Sequence, residues 1–172
     1  VEQELTIDRN PFRTVFTGVE KTRKRAISIS DIKRIRDLDL SLKPNLEFAR
    51  NLFLFLFLCR RMSFIDAAFL KKSDIQSGIL TYRRHKTNQV LHIKIIKPIK
   101  ELVDRYSSND SPYLLPIITR PHCDERRQYE TALRRVNKSL KTIAGMVKLP
   151  IPLTTYVSRH AWATIAKSKN IP

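Results

Sequence analysis

Residues 44–60 read PNLEFARNLFLFLFLCR, and the fold class turns on whether this stretch is helix or strand. Taken alone, the Leu/Phe run Leu52–Cys59 suits a buried strand as well as a buried helix, because periodicity does not separate the two over so short a span. Two features favour helix. The run continues NLEFAR without a break. Pro44 stands where a first helical turn accepts proline, since its missing N–H would lack an intrahelical partner anyway. The second half is apolar on every side, which predicts a helix buried on every side. It falls well short of the roughly 20 apolar residues a bilayer crossing requires.

Working outward, the upstream stretch Ser30-DIKRIRDLDL predicts a helix with Ser30 at the N-cap, Asp31 in the first turn, and Ile32, Ile35 and Leu38 on one face. Downstream, Met62, Ile65, Ala68 and Phe69 of RRMSFIDAAFLKKSDI suit a short buried helix. KKSDIQSG reads as a turn. Ile79–Arg83 and Val90–Ile95 are β-rich and flank a turn at Thr87–Asn88, so they predict an antiparallel hairpin. A helix follows Pro98. SPYLLPIITRP reads as extended or irregular. The stretch 124–148 predicts a long amphipathic helix burying Tyr129, Leu133, Val136, Leu140 and Ile143, with Gly145 near its end. A last helix in 151–169 would be capped by Thr154 or Thr155. The expected fold is mainly α with a small antiparallel sheet, and no internal repeat or low-complexity segment is evident.

The chain has 172 residues, enough for one domain with its own core. Lys and Arg number 33 against 16 Asp and Glu, a net charge of +17. Such an excess predicts attraction to polyanions, duplex DNA first among them. No basic amphipathic helix stands apart from the core, so no membrane partner is expected. Cys59 in the apolar run and Cys123 in a polar loop form neither a disulfide framework nor a metal-spaced cluster, which fits a reducing cytoplasm and no bound metal. The opening VEQELTIDRN lacks the apolar core of a secretory leader. Beginning on Val1, the chain reads as a fragment or a processed product. Residues 1–27, with the cluster KTRKR, read as a basic linker or arm, either a solvated run or a phosphate contact.

Three cationic sites stand out: Arg60–Arg61 after the apolar run, RRHKT (Arg83, Arg84, His85, Lys86, Thr87) at the hairpin tip, and Arg159–His160 inside LTTYVSRHAWATIA. A guanidinium within a helix that otherwise wants burial needs an anion, because an unpaired buried charge is costly. Each site alone has a bland alternative, a salt bridge or a solvated surface. Together they favour a phosphate site, where planar arginine forks and a lysine point charge converge.

In order and spacing these segments resemble the catalytic domain of tyrosine recombinases, the phage-integrase family, over about residues 28–172. The likeness is strongest in RRMSFIDAAFLKKSDI, YRRHKTNQVLHI and LTTYVSRHAWATIA, and is closest to integrases of bacterial conjugative transposons and related mobile elements. It implies cleavage of DNA through a tyrosine, a 3′-phosphotyrosyl bond, strand exchange and religation, without metal or nucleotide. It also implies a full-length parent that assembles as a tetramer on DNA in the bacterial nucleoid, this chain alone being monomeric. Lys86 matches the family lysine, the general acid to the leaving 5′ oxygen. Arg159 matches the second arginine, which neutralises the non-bridging phosphate oxygens. His160 follows as the family's RH does.

The departures are specific. The family's His-x-x-Arg reads Tyr156-x-x-Arg159, with Tyr156 one helical turn from Arg159. The first family arginine aligns with Ser63, and Arg61 holds the position of a glycine. Arg60 and Arg61 are then substitutes, with Arg60, three residues before Ser63, the preferred one. Arg61, Ser63, Arg83, Arg84, Thr87 and His160 are expected against DNA. The chain ends at Pro172, before the family's second His or Trp and its nucleophilic tyrosine. Tyr82, Tyr106, Tyr113, Tyr129 and Tyr156 do not match that nucleophile. The alternative to a catalytic-domain fragment is a basic DNA-binding module on the same scaffold that never cleaves. An unrelated RNA-binding domain is disfavoured, since the chain has three glycines and neither a GxxG loop nor an RNP-like aromatic strand.

Overall fold

The Leu/Phe run is helical. The computed structural model describes residues 26–107 and 110–170, so the KTRKR cluster and the rest of 1–25 lie outside the described residues. In chain order the elements are α1 (Ile29–Arg36), α2 (Pro44–Leu58), α3 (Phe64–Ala68), a 3-10 turn (Lys72–Asp74), β1 (Ile75–Gln76), β2 (Ile79–Arg83), β3 (Val90–Lys94), α4 (Lys97–Tyr106), α5 (Glu125–Met146) and α6 (Thr155–Ser168).

Helix α2 is the centre of the molecule and touches α1, α4, α5 and α6. Leu52, Phe53, Phe55 and Leu56 are buried, while Leu54, Phe57 and Leu58 keep part of their surface. Burial on every side thus holds for most of the run rather than all of it. Removing an aromatic side chain of this size from water contributes about 1.5–3 kcal/mol, which makes Phe53 and Phe55 principal anchors. Val136, Leu140 and Ile143 of α5 are buried against the core, with Tyr129 and Leu133 half-buried on the same face.

Two local readings are corrected. The N-cap of α1 is Ser28, not Ser30: the Ser28 hydroxyl accepts from the Asp31 N–H at 3.1 Å and the Asp31 carboxylate accepts from the Ser28 N–H at 3.2 Å. That reciprocal pair satisfies two donors that the helix cannot. Leu38 lies past the end of α1 but still packs on the core. The stretch KKSDIQSG supplies a third strand as well as a turn. β1 pairs antiparallel with β2, and β2 with β3, giving the order β1-β2-β3 with Leu80 opposite both Ile75 and Ile93. The irregular stretch at 111–118 is tied down by an antiparallel bridge between Lys71 and Tyr113, and buries Leu114, Leu115, Ile117 and Ile118.

Candidate nucleic-acid interface

Strand β2 alternates exposed and buried residues, so Leu80 and Tyr82 point inward while Thr81 and Arg83 point out. The phenol of Tyr82 feels charge from several of the segments singled out in the sequence. This phenol is pushed up to about 12, first by burial and next by the Asp66 carboxylate; Arg84 pulls the other way, Cys59 adds a lesser upward push, and Arg159 pulls down least. The charges acting on this hydroxyl come from four segments. Cys59 closes α2 and precedes Arg60, Asp66 belongs to α3, Arg84 begins the hairpin loop, and Arg159 lies in α6.

Asp66 organises this junction. It is 5% exposed. One carboxylate oxygen accepts from the His85 N–H at 2.9 Å, and the other accepts from the Ser63 hydroxyl at 2.5 Å. Ser63 in turn caps α3 by accepting the Asp66 N–H at 3.3 Å. The His85 ring lies 5.3 Å from that of Phe69, centroid to centroid. The base of the hairpin tip is therefore fixed to α3 by the Asp66 carboxylate and by a ring contact at the helix's C-terminal end.

The tip itself is a loop from Arg84 to Gln89, closed by the Arg84 N–H to Gln89 carbonyl bond and by Asn88 in a left-handed conformation, φ 56°. Arg83 reaches back to the Asn88 carbonyl at 2.8 Å. Lys86 and Thr87 are exposed. At the end of α2, Arg60 and Arg61 are both left-handed, with φ 52° and 70°. This geometry disfavours non-glycine residues by roughly 1–2 kcal/mol each. It ends the helix abruptly, so no helical turn links Arg60 to Ser63, and both arginines project into solvent. Among the described residues, the side chains of Arg60, Arg61, Arg84, Lys86 and Arg159 make no hydrogen bond and no ion pair. Among the described residues no hydrogen bond or ion pair joins Lys86 to Arg159, and Arg84 and Arg159 are linked only in that both act on the Tyr82 phenol.

The N-cap of α6 is Thr154, whose side chain makes no cap bond. The cap comes from α5 instead: the Asn137 side-chain oxygen accepts from the Thr155 N–H at 2.9 Å. Arg159 is half-buried and carries no protein anion among the described residues. Tyr156 is 53% exposed, and its ring stands edge-on to His160 with centroids 4.4 Å apart. The His160 Nε2 is buried with no hydrogen-bond partner among the described residues. The other tyrosines are engaged. Tyr82 and Tyr113 are buried, Tyr113 donates to Glu125, Tyr106 accepts from Asn51, and Tyr129 packs against Phe64.

Chemically, the arrangement offers fixed positive charge and no counter-charge, which suits an oxyanion brought from outside. Three contributors escape a reading of the sequence: Asp66, Tyr82 and Asn137. A Ser-x-x-Asp spacing at Ser63–Asp66 is the one local signal that marks Asp66. Among the described residues, no helix is long and apolar enough to cross a membrane, and no group of three or more His, Cys, Asp or Glu could hold a metal ion.

No protein-family model and no curated protein matches the sequence. Solved structures do. The chain is similar to XerA recombinase at a TM-score of 0.57 and 16% identity, over 84% of this chain and 51% of that one. It is similar to a lambda integrase dimer bound to a COC′ core site at a TM-score of 0.58 and 17% identity, over 88% of this chain and 43% of that one. At such identities the likeness is one of fold. The chain has the mainly helical, small-sheet architecture of a tyrosine recombinase catalytic domain, and spans about half the length of these structures or less.

Proposed function

We propose that residues 28–172 bind duplex DNA as the catalytic domain of a tyrosine recombinase, with residues 1–27 as a basic arm. The observation that carries this is Arg159: a half-buried guanidinium in α6, a helix packed against α2, with no hydrogen-bonding or ion-pairing anion among the described residues. The scissile phosphate is the anion it awaits. In this reading Arg159 neutralises the non-bridging oxygens, Lys86 on its exposed loop protonates the leaving 5′ oxygen, Arg60 substitutes for the first arginine, and Tyr156 donates a hydrogen bond where the family uses histidine. Arg61, Ser63, Arg83, Arg84, Thr87 and His160 hold the flanking backbone. The parent would act on mobile DNA in the cytoplasm, as a tetramer on its site. The DNA in the lambda integrase structure supports DNA as the partner.

The experiment is duplex binding measured over a range of salt. Five unpaired cations meeting phosphates predict a log–log slope of about −4 to −5. Arg159→Ala should flatten it by about one unit and weaken binding about ten-fold. A salt-independent affinity, or an Arg159→Ala protein that binds as tightly as the parent, refutes the reading.

The tyrosines favour a second reading, a DNA-binding module that never cleaves: four are engaged, and the fifth, Tyr156, faces His160. DNA nicked near the cleavage position traps a covalent intermediate. No adduct is expected from residues 1–172, since Arg159 and Lys86 supply no nucleophile. An adduct that Tyr156→Phe abolishes overturns the role given to Tyr156. Any parent sequence continuing past Pro172 then separates the two readings by forming an adduct or failing to.

A further inference from the structure

Away from the cationic junction lies a cavity of about 940 Å³, bounded by the first turns of α2, the segment 116–124 and one face of α5. No residue lining it belongs to the junction around Tyr82. Its floor is apolar: Ile117 and Val136 are buried and Phe48 is half-buried. Its rim is cationic. Arg127, Arg135 and Lys138 stand on one face of α5, at helical spacing, and Arg120 faces them from the loop. All four are exposed, and among the described residues none has a side-chain hydrogen bond or ion pair. The only carboxylate in the lining, Asp124, is occupied as the α5 N-cap, accepting from the Arg127 N–H at 3.2 Å.

We propose that this cavity binds an acidic peptide segment of a partner protein, one that inserts a large apolar side chain between flanking carboxylates. Two features select that occupant. A concave apolar floor gains from an inserted side chain, whereas a duplex presents a convex phosphate ribbon and leaves such a floor wet. Unpaired arginines at the mouth match carboxylates in forked geometry. A second copy of this chain is a poor occupant, because two bodies of net charge +17 repel.

Cys123 makes the proposal testable at the cavity itself. It lines the cavity and is exposed, whereas Cys59 is fully buried and its thiol is pushed far up by that burial, so a maleimide reads Cys123 alone. The probes are a short peptide of Asp and Glu with one central Phe, the same peptide with Ala for Phe, and a short DNA duplex. The Phe peptide should slow Cys123 alkylation in a saturable way, and the Ala peptide should not. Truncating Arg127 and Lys138 together to Ala should weaken the Phe peptide by about ten-fold or more. These positions are exposed, so unchanged thermal unfolding of the double variant checks that the fold persists. Equal protection by the Ala peptide would reduce the effect to bulk charge. Stronger protection by the duplex would make this a nucleic-acid surface. No protection, or a double variant that binds the peptide undiminished, would remove the site. Each of these overturns the proposal, and the effect of Arg159→Ala on DNA binding is read separately from all of them.

Discussion

Asp66→Ala should loosen the hairpin and destabilise the whole domain. The buried carboxylate holds two protons' worth of hydrogen bonding, the His85 N–H at 2.9 Å and the Ser63 hydroxyl at 2.5 Å. Truncation leaves the part-buried His85 N–H without an acceptor, at about 1–3 kcal/mol, and removes the Ser63 bond, at about 1 kcal/mol. The sum is about 2–4 kcal/mol. For a domain of this length each kcal/mol moves Tm by about 2–4 °C, so a fall of about 10 °C is expected. Asp66→Asn retains one carbonyl oxygen for His85 and an amide that can donate to Ser63, and should cost about 1 kcal/mol. Thermal unfolding by circular dichroism gives the first number, and hydrogen exchange at the His85 amide gives its origin, rising sharply in the alanine variant and little in the asparagine one. An alanine variant within about 2 °C of the parent, on the same scale of 2–4 °C per kcal/mol, refutes the anchoring role. An asparagine variant as unstable as the alanine one shows that the charge matters rather than the acceptor.

Asn137→Ala removes the acceptor that caps α6 and should cost about 1 kcal/mol, read as a lower urea midpoint at unchanged m-value; an unchanged midpoint denies the cap. Arg159→Ala should leave stability within about 0.5 kcal/mol, because no hydrogen bond or ion pair of its guanidinium with the described residues is lost, while DNA affinity falls; a large drop in Tm would expose a structural partner. Tyr82 and Tyr113 are both pushed up to about 12 from an ordinary value of 10.0, so the folded state holds their protons longer than the unfolded one. The stability this gives is complete below the unfolded value and declines from there to about pH 12, by about 1.4 kcal/mol per pH unit for the buried Tyr82. A near-ultraviolet phenolate titration should show these two among the five tyrosines ionising last, and Tyr82→Phe should remove one late step; an early step lost instead overturns the assignment.

Features that repeat along the chain or violate a local pattern were legible. Helix α2 announced itself through Pro44 and the unbroken run from NLEFAR, and Arg159 stood out as a charge in an apolar helix. The cap of α1 was legible but misassigned: Ser28 and Ser30 both precede Asp31, and only Ser28 has the three-residue spacing a capping box requires. Strand β1 is two residues long, too short to show alternation. Its cue was Ser77–Gly78, with φ 48° and 75° at the turn, which brings Ile75 back against Leu80. What stayed hidden was made by tertiary contact. Asp66 meets a backbone N–H nineteen residues away and Asn137 one eighteen residues away, and neither partner carries a sequence mark of its own.

The distribution of acids argues that the cationic junction is a site and not a by-product of a basic chain. Stretches 75–100 and 131–172 contain no Asp or Glu, and neither does 48–65. These three stretches supply the hairpin, most of α5, α6 and the end of α2. Among the described residues the ion pairs are on Arg34, Arg36, Arg50, Lys100, Arg105 and Arg126, in α1, α2's first turns, α4 and the start of α5, and none involves the hairpin, α6 or the last turns of α2. A charge excess serving solubility alone would be interspersed with acids on every face. Here the hairpin, α6 and the end of α2 carry no acid at all, and Asp66, which ties down the hairpin, has both oxygens occupied by Ser63 and His85. Such a surface repels itself until an anion arrives. Its folding cost is recovered on binding, which is why the salt dependence of DNA affinity and the near-neutral stability of Arg159→Ala must be observed together: losing either one breaks the link between missing acids and a phosphate ligand.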